Sequence, residues 1–292
     1  MNYLCREKEK INDIEKLTGI ICNEEIQMDI LNEKIDAGKS FDWGKTSDDY
    51  AKYRDIYPDI FYQKIAERNL CVKGQKILDL GTGTGVLPRN MYHFGADWIG
   101  TDISENQIFY AKKMSDERKL NIQYKVTAAE DICFPANTFD VITACQCFWY
   151  FDYKRLTPKL ANILKTDGKL LLLYMAWLPF EDYIAGKSEK LVLKYSPNWT
   201  GAGETKHPIS VSNELYNRFE AMYHEEYNIE IPFTRETWHG RMKACRGVGA
   251  SLSPKEIKLW ESEHKKLLEN IAPNEFSIKH YIAMLELKPK EN

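Results

Sequence analysis

ILDLGTGTG, residues 77–85, runs an apolar strand straight into three alternating glycines, with a helical pattern behind them. Glycine permits the sharp turn and lets the backbone come close to a ligand. The helix amino terminus that follows offers oriented N–H groups. The spacing is G-x-G-x-G. A dinucleotide fingerprint, G-x-G-x-x-G, needs glycine at 86, where Val86 stands, and has no place for Asp79 in the leading strand.

Working outward, DWIGTDI (97–103) reads as the next strand, ending at Asp102, twenty-three residues after Asp79. A carboxylate at that strand end and offset suits the two hydroxyls of a ribose. Asp102 as a plain helix cap is the competing reading, but Ser104 caps equally well. Strands at 76–80, 122–126, 139–145 and 169–176 alternate with helices at 86–95, 105–119 and 156–165, the last stopped by Asp167-Gly168. Apolar strands alternating with helices predict an α/β fold: a doubly wound, mostly parallel sheet with helices on both faces. Two further strands, 227–233 and 279–288, bring the sheet to seven. Between them lie helical patterns at 234–275, including 253–271, which opens with Ser253-Pro254 and Glu256. These stretches and 177–226 read as a helical insertion over the carboxyl edge of the sheet, where such folds bind ligands.

Upstream, TSDDYAKYRDIYPDIFYQKIAERNL (46–70) reads as two helices broken near Pro58. Residues 1–44 form an N-terminal extension. Ile11, Ile14, Leu17, Ile26, Ile30 and Leu31 give it two short amphipathic helices. The expected division is this extension followed by one domain, 45–292, with its core at 70–176.

Of the 292 residues, 43% are hydrophobic and 28% charged, and the net charge is −3, so no strongly basic face for nucleic acid is expected. No stretch approaches the length of a membrane span, and MNYLCREKEK lacks the apolar core of a secretory signal. Seven cysteines without a C-x-x-C pair, beside six scattered histidines, predict reduced thiols in the cytoplasm and no metal site.

Four pieces together, ILDLGTGTG, GTDIS, AAEDICFPANTFDVITACQCFWYFD and LKTDGKLLLLY, resemble class I S-adenosylmethionine-dependent methyltransferases. The likeness covers roughly 45–176. Within that superfamily the chain is similar to the small-molecule branch with the ubiquinone/menaquinone and trans-aconitate enzymes, of methyltransferase type 11 character. The resemblance implies a Rossmann-like fold and S-adenosylmethionine as cofactor. It also implies roles by position. Asp79, Gly81, Gly83 and Gly85 would surround the methionine part, Asp102 would hold the ribose, Ile103 would lie against the adenine, and Glu130 and Asp131 would meet its edge. Gln146 leaves the fourth strand where it could reach the methionine end. No NPPY-like tetrapeptide and no Pro-Cys pair follows that strand, which speaks against adenine-N6, glutamine and cytosine-C5 transfer.

The expected reaction is direct displacement of the methyl group by a small-molecule acceptor, with positioning as the main catalytic device. Tyr53, Tyr57, Trp149 and Arg246 are the catalytic candidates, with Arg54, Tyr150, His239 and Arg241 as further rim residues. The arginines would suit a carboxylate on the acceptor. The alternatives are an NAD(P)-dependent oxidoreductase and a non-catalytic cofactor-binding or interaction protein.

Overall fold

The structure, a computed structural model, describes residues 35–42, 45 and 47–290. The amphipathic pattern read between Ile11 and Leu31 lies outside them. Seven strands form one sheet: β1 (Lys76–Leu80), β2 (Asp97–Asp102), β3 (Gln123–Val126), β4 (Phe139–Cys145), β5 (Leu164–Trp177), β6 (Phe219–Thr234) and β7 (Glu275–Pro289). Their order is β3-β2-β1-β4-β5-β7-β6. The links from β3 to β5 are all parallel. Strand β7 runs antiparallel to both its neighbours, so the sheet is mixed. A buried antiparallel strand reads as the same apolar run as a parallel one.

Helices α1 (Ser47–Tyr53), α2 (Asp59–Glu67), α3 (Val86–Met91), α4 (Glu105–Glu117), α5 (Tyr153–Ile163), α6 (Tyr183–Tyr195), α7 (Asn213–Tyr216), α8 (Arg235–Lys243) and α9 (Pro254–Ile271) accompany the strands, with short 3-10 turns at Asp36–Gly38, Tyr92–Phe94, Ala129–Asp131 and Phe148–Tyr150. Alternation along the strands divides the core in two. Ile77, Val141, Leu171 and Leu173 pack on the face covered by α2, α3, α6, α8 and α9. Leu78, Ile142, Leu170 and Leu172 pack on the other, against α5 and α7. No described helix is long and apolar enough to cross a membrane.

Two boundaries differ most from the sequence expectation. Strand β5 begins at Leu164, so Asp167 and Gly168 lie inside it and do not stop the helix. Leu164 pairs with Phe139, and Lys165 holds Asp140 at 2.7 Å, which draws the segment into the sheet. Strand β6 begins at Phe219, within the stretch read as insertion up to 226. It is an edge strand whose outer side is polar and whose inner side mixes Tyr223, Tyr227 and Ile229 with Glu225, which blurs the apolar alternation.

Candidate functional site

The parallel order reverses between β1 and β4, and ligands bind beyond the carboxyl ends of strands at such a switch point. A cavity of about 300 Å³ opens there. Gly81 and Gly83 after β1, Asp102 and Ile103 after β2, Thr127 and Glu130 after β3, and Gln146 after β4 line one part of it. Trp149, Tyr150, Tyr174, Trp177 and Trp199, with Arg54, Glu204, Arg241 and Arg246, line the other.

The loop conformation requires its glycines. Gly81 and Gly83 have φ of 59° and 56°, and a Cβ on Gly81 would stand 2.7 Å from Cys147 Sγ. Thr82 N–H donates to Thr101 O at 2.8 Å, and Gly83 N–H to Asp102 Oδ2 at 2.9 Å. Ser104 N–H donates to Asp102 Oδ1 at 2.9 Å, and the Ser104 side chain caps α4. Each Asp102 oxygen therefore carries one backbone donor and keeps further lone-pair capacity at the cavity wall. Burial pushes this carboxyl above its ordinary range, against the N–H groups of Ser104 and Gly83.

Asp79 sits beneath the loop, 2% exposed, and is absent from the cavity wall. The Thr143 and Thr82 hydroxyls each donate to it at 2.6 Å. It joins the glycine loop, through Thr82, to β4, through Thr143. Burial pushes it up to about 6, against those two bonds. The native state therefore holds this proton more tightly than the unfolded chain. The cost to folding is absent below about pH 4, grows as pH rises to about 6, and reaches on the order of 3 kcal/mol. Asp79→Asn should accordingly raise unfolding free energy near neutral pH, with the gain closing towards about pH 4. Urea unfolding of both proteins at the two ends of that window checks it.

The other expected residues divide by side-chain placement. Ile103, Glu130, Gln146, Trp149 and Arg246 reach the wall; Gly85, Asp131, Tyr53 and Tyr57 do not. Gly85 packs against Tyr124 at the start of α3. Asp131 turns outward to an exposed ion pair with Arg155. Tyr53 lies against Gly240 and donates to Glu236 at 3.3 Å. Tyr57 stacks on Phe61, and Cys145 Sγ donates to its hydroxyl at 3.5 Å. Glu130 reaches the wall but accepts from Asp152 N–H at 2.7 Å, and Gln146 Nε2 donates to Met175 O at 2.5 Å. His239 is buried away from the cavity, 2.9 Å from His264 between Nδ1 atoms.

Burial pushes the Cys145 thiol up to about 12 and Cys147 well above its ordinary value. Neither is a thiolate at neutral pH, so neither is poised as a nucleophile. Among the described residues no group of three or more His, Cys, Asp or Glu is placed to hold a metal ion.

Residues 78–172, which carry the loop, Asp102 and the β4 exit, match the family described as a methyltransferase domain. That stretch of the chain is similar to methyltransferase domains. Ubiquinone biosynthesis O-methyltransferases are similar to it. That of Coxiella burnetii is 33% identical over 108 residues, 37% of this chain and 46% of that protein. That of Bradyrhizobium diazoefficiens is 32% identical over 141 residues, 46% of this chain and 54% of that protein. The chain thus spans about half the length of these curated relatives. Among solved structures, phosphoethanolamine N-methyltransferase 2 of Haemonchus contortus superposes with a TM-score of 0.50 at 19% identity, over 84% of this chain and 58% of that one. A candidate type II methyltransferase of Anaeromyxobacter dehalogenans reaches 0.52 at 16% identity, over 80% and 96%. These likenesses establish the fold.

The matched stretch, 78–172, does not build the cavity alone. Trp177, Trp199, Glu204 and Arg241 come from beyond residue 172, and sequence reasoning named only Arg241 among them. Their signal is absent locally, because an aromatic in an irregular stretch reads as core or surface equally. Glu204 accepts from Tyr174 Oη at 2.5 Å and Tyr281 Oη at 3.0 Å, which brings the 200s loop to the end of β5.

Proposed function

We propose that the protein transfers a methyl group from S-adenosylmethionine to a small-molecule acceptor. The observation that carries this reading is Asp102, bonded to the glycine loop through one oxygen and to Ser104 through the other, on the wall of a cavity at the switch point. The donor set fits the cofactor. Asp102 retains acceptor capacity for two ribose hydroxyls, the exposed Ile103 offers apolar surface to the adenine, and Gly81 and Gly83 admit close backbone approach. When bound, the cofactor supplies an electrophilic methyl group on a sulfonium. The loop and Asp102 fix its position, and the rings of Trp149, Tyr174, Trp177 and Trp199 exclude water around the acceptor. Residues 177–218 and 234–275 serve as the acceptor-side insertion of a domain running from 45 to 292. A cytoplasmic location belongs to the same reading, supported by the free thiols Cys71, Cys133, Cys145, Cys147 and Cys245.

Calorimetry with S-adenosylhomocysteine tests the proposal. Saturable one-to-one binding is expected, and a hundredfold excess over Kd should stabilise the protein by about 2.7 kcal/mol. Protection by NAD and none by S-adenosylhomocysteine would reverse it in favour of an oxidoreductase.

A further inference from the structure

Asp36, in the segment before α1, lies 5% exposed against Arg246, two hundred and ten residues away. Arg246 Nε donates to Asp36 Oδ2 at 2.8 Å and Nη2 to Oδ1 at 3.0 Å. Thr200 adds its N–H at 2.7 Å and its hydroxyl at 2.9 Å to Oδ1. Four donors fill the carboxylate, and the paired carboxylate cancels the guanidinium charge. Arg246 is therefore not an anchor for an acceptor carboxylate, which corrects the expectation from sequence. Its Nη1 donates instead to Tyr150 Oη at 2.7 Å. A guanidinium cannot accept, so Tyr150 must accept in this bond, and its own proton remains for another partner. Tyr150 lines the cavity beside Trp149. Burial pushes its phenol upward, against Arg246, so it stays protonated at neutral pH.

We infer that Tyr150 donates the hydrogen bond that anchors the methyl acceptor, and that Asp36 is a positioning residue acting on it through Arg246. The acceptor class that fits is a flat molecule presenting an uncharged, hydrogen-bond-accepting oxygen. Ring walls take its faces and Tyr150 takes its oxygen. Residues 35–42 then support the acceptor site from behind Tyr150: Asp36 and Ala37 are held with φ of 50° and 55°, and the Phe41 ring lies tilted against Tyr150 with centroids 6.0 Å apart. This inference rests on the methyl-transfer reading.

The test uses protein saturated with S-adenosylhomocysteine and two probes, 2-naphthol and its oxygen-free parent naphthalene, with binding followed by ligand-detected NMR. The unsubstituted protein should bind 2-naphthol at least about tenfold more tightly than naphthalene, as one good hydrogen bond provides. Tyr150→Phe should abolish the preference. Asp36→Ala alone strands a buried arginine and is expected to unfold the protein. The paired change Asp36→Asn with Arg246→Gln removes both charges, and it should lower the preference while S-adenosylhomocysteine affinity stays within about twofold. Absence of 2-naphthol binding, or a preference that survives Tyr150→Phe, overturns the assignment of Tyr150. A preference intact in the paired variant overturns the role of Asp36. Failure of the unsubstituted protein to bind S-adenosylhomocysteine is a separate result, and it removes the methyl-transfer reading itself.

Discussion

Asp102→Ala should weaken S-adenosylhomocysteine binding by about a hundredfold. Two losses add. The ribose loses its charged acceptor, and such hydrogen bonds contribute about 1.5–3 kcal/mol each. Gly83 N–H also loses the carboxylate that it meets at 2.9 Å, so the loop is no longer tied to β2. Together about 2.7 kcal/mol is a conservative sum, and about 1.4 kcal/mol corresponds to tenfold. Asp102→Asn keeps one oxygen and should fall between. Calorimetry on the three proteins decides it. Unchanged affinity in the alanine variant would remove the ribose assignment, because no other carboxylate on the wall is tied to the loop by a backbone bond among the described residues.

Trp238→Ala should cost about 3–5 kcal/mol of folding stability, the range for truncating a buried tryptophan. Trp238 on α8 is fully buried, with edge contacts to Trp177 at 5.7 Å and Phe233 at 5.0 Å between ring centroids. Its Nε1 donates to Ser188 Oγ at 2.9 Å, and His264 Nε2 meets the same oxygen at 3.0 Å. That chain continues to His239, and burial lowers His264 to about 3 and His239 to about 4. Both histidines are neutral in the native state. Their contribution is therefore present above about pH 6.5 and lost as pH falls through about 4 towards about 3. Truncation leaves a cavity behind Trp177 and a hydroxyl short of one partner. Trp238→Phe retains ring packing and should lose about 1–2 kcal/mol. Guanidinium unfolding with unchanged m-value measures both, and a loss under about 1 kcal/mol for the alanine variant would contradict this account of the core.

The strand-to-glycine junction was legible because its causes are local. ILDL supplies the strand, the glycines supply the turn, and Asp102 stands at the end of the neighbouring strand. The Ser253-Pro254-Glu256 start of α9 was legible for the same reason, and its capping box is complete. Val86 fills a buried position at the start of α3, where a dinucleotide fingerprint would need glycine. What could not be read depends on distant partners. Asp167-Gly168 carries the composition of a helix stop, and only pairing with β4 turns it into strand. Tyr53 and Tyr57 fall on a helix end and a proline break, where spacing does not determine which way a side chain faces. Arg246 looked like a free cation because its partner precedes it by two hundred and ten positions.

Strand β7 lies between β5 and β6, pairing Leu170 with Leu287 and Phe219 with Pro289. During synthesis the ribosome delivers β1 to β5, then β6, well before the strand that must join them. Until residues 275–289 emerge, the apolar run from Leu170 to Leu173 has a bare edge, which invites pairing with another nascent chain. The late closure also joins positions more than a hundred residues apart, a slow step by loop-closure entropy. In the cell this protein is most exposed to aggregation in the interval before its seventh strand is laid down.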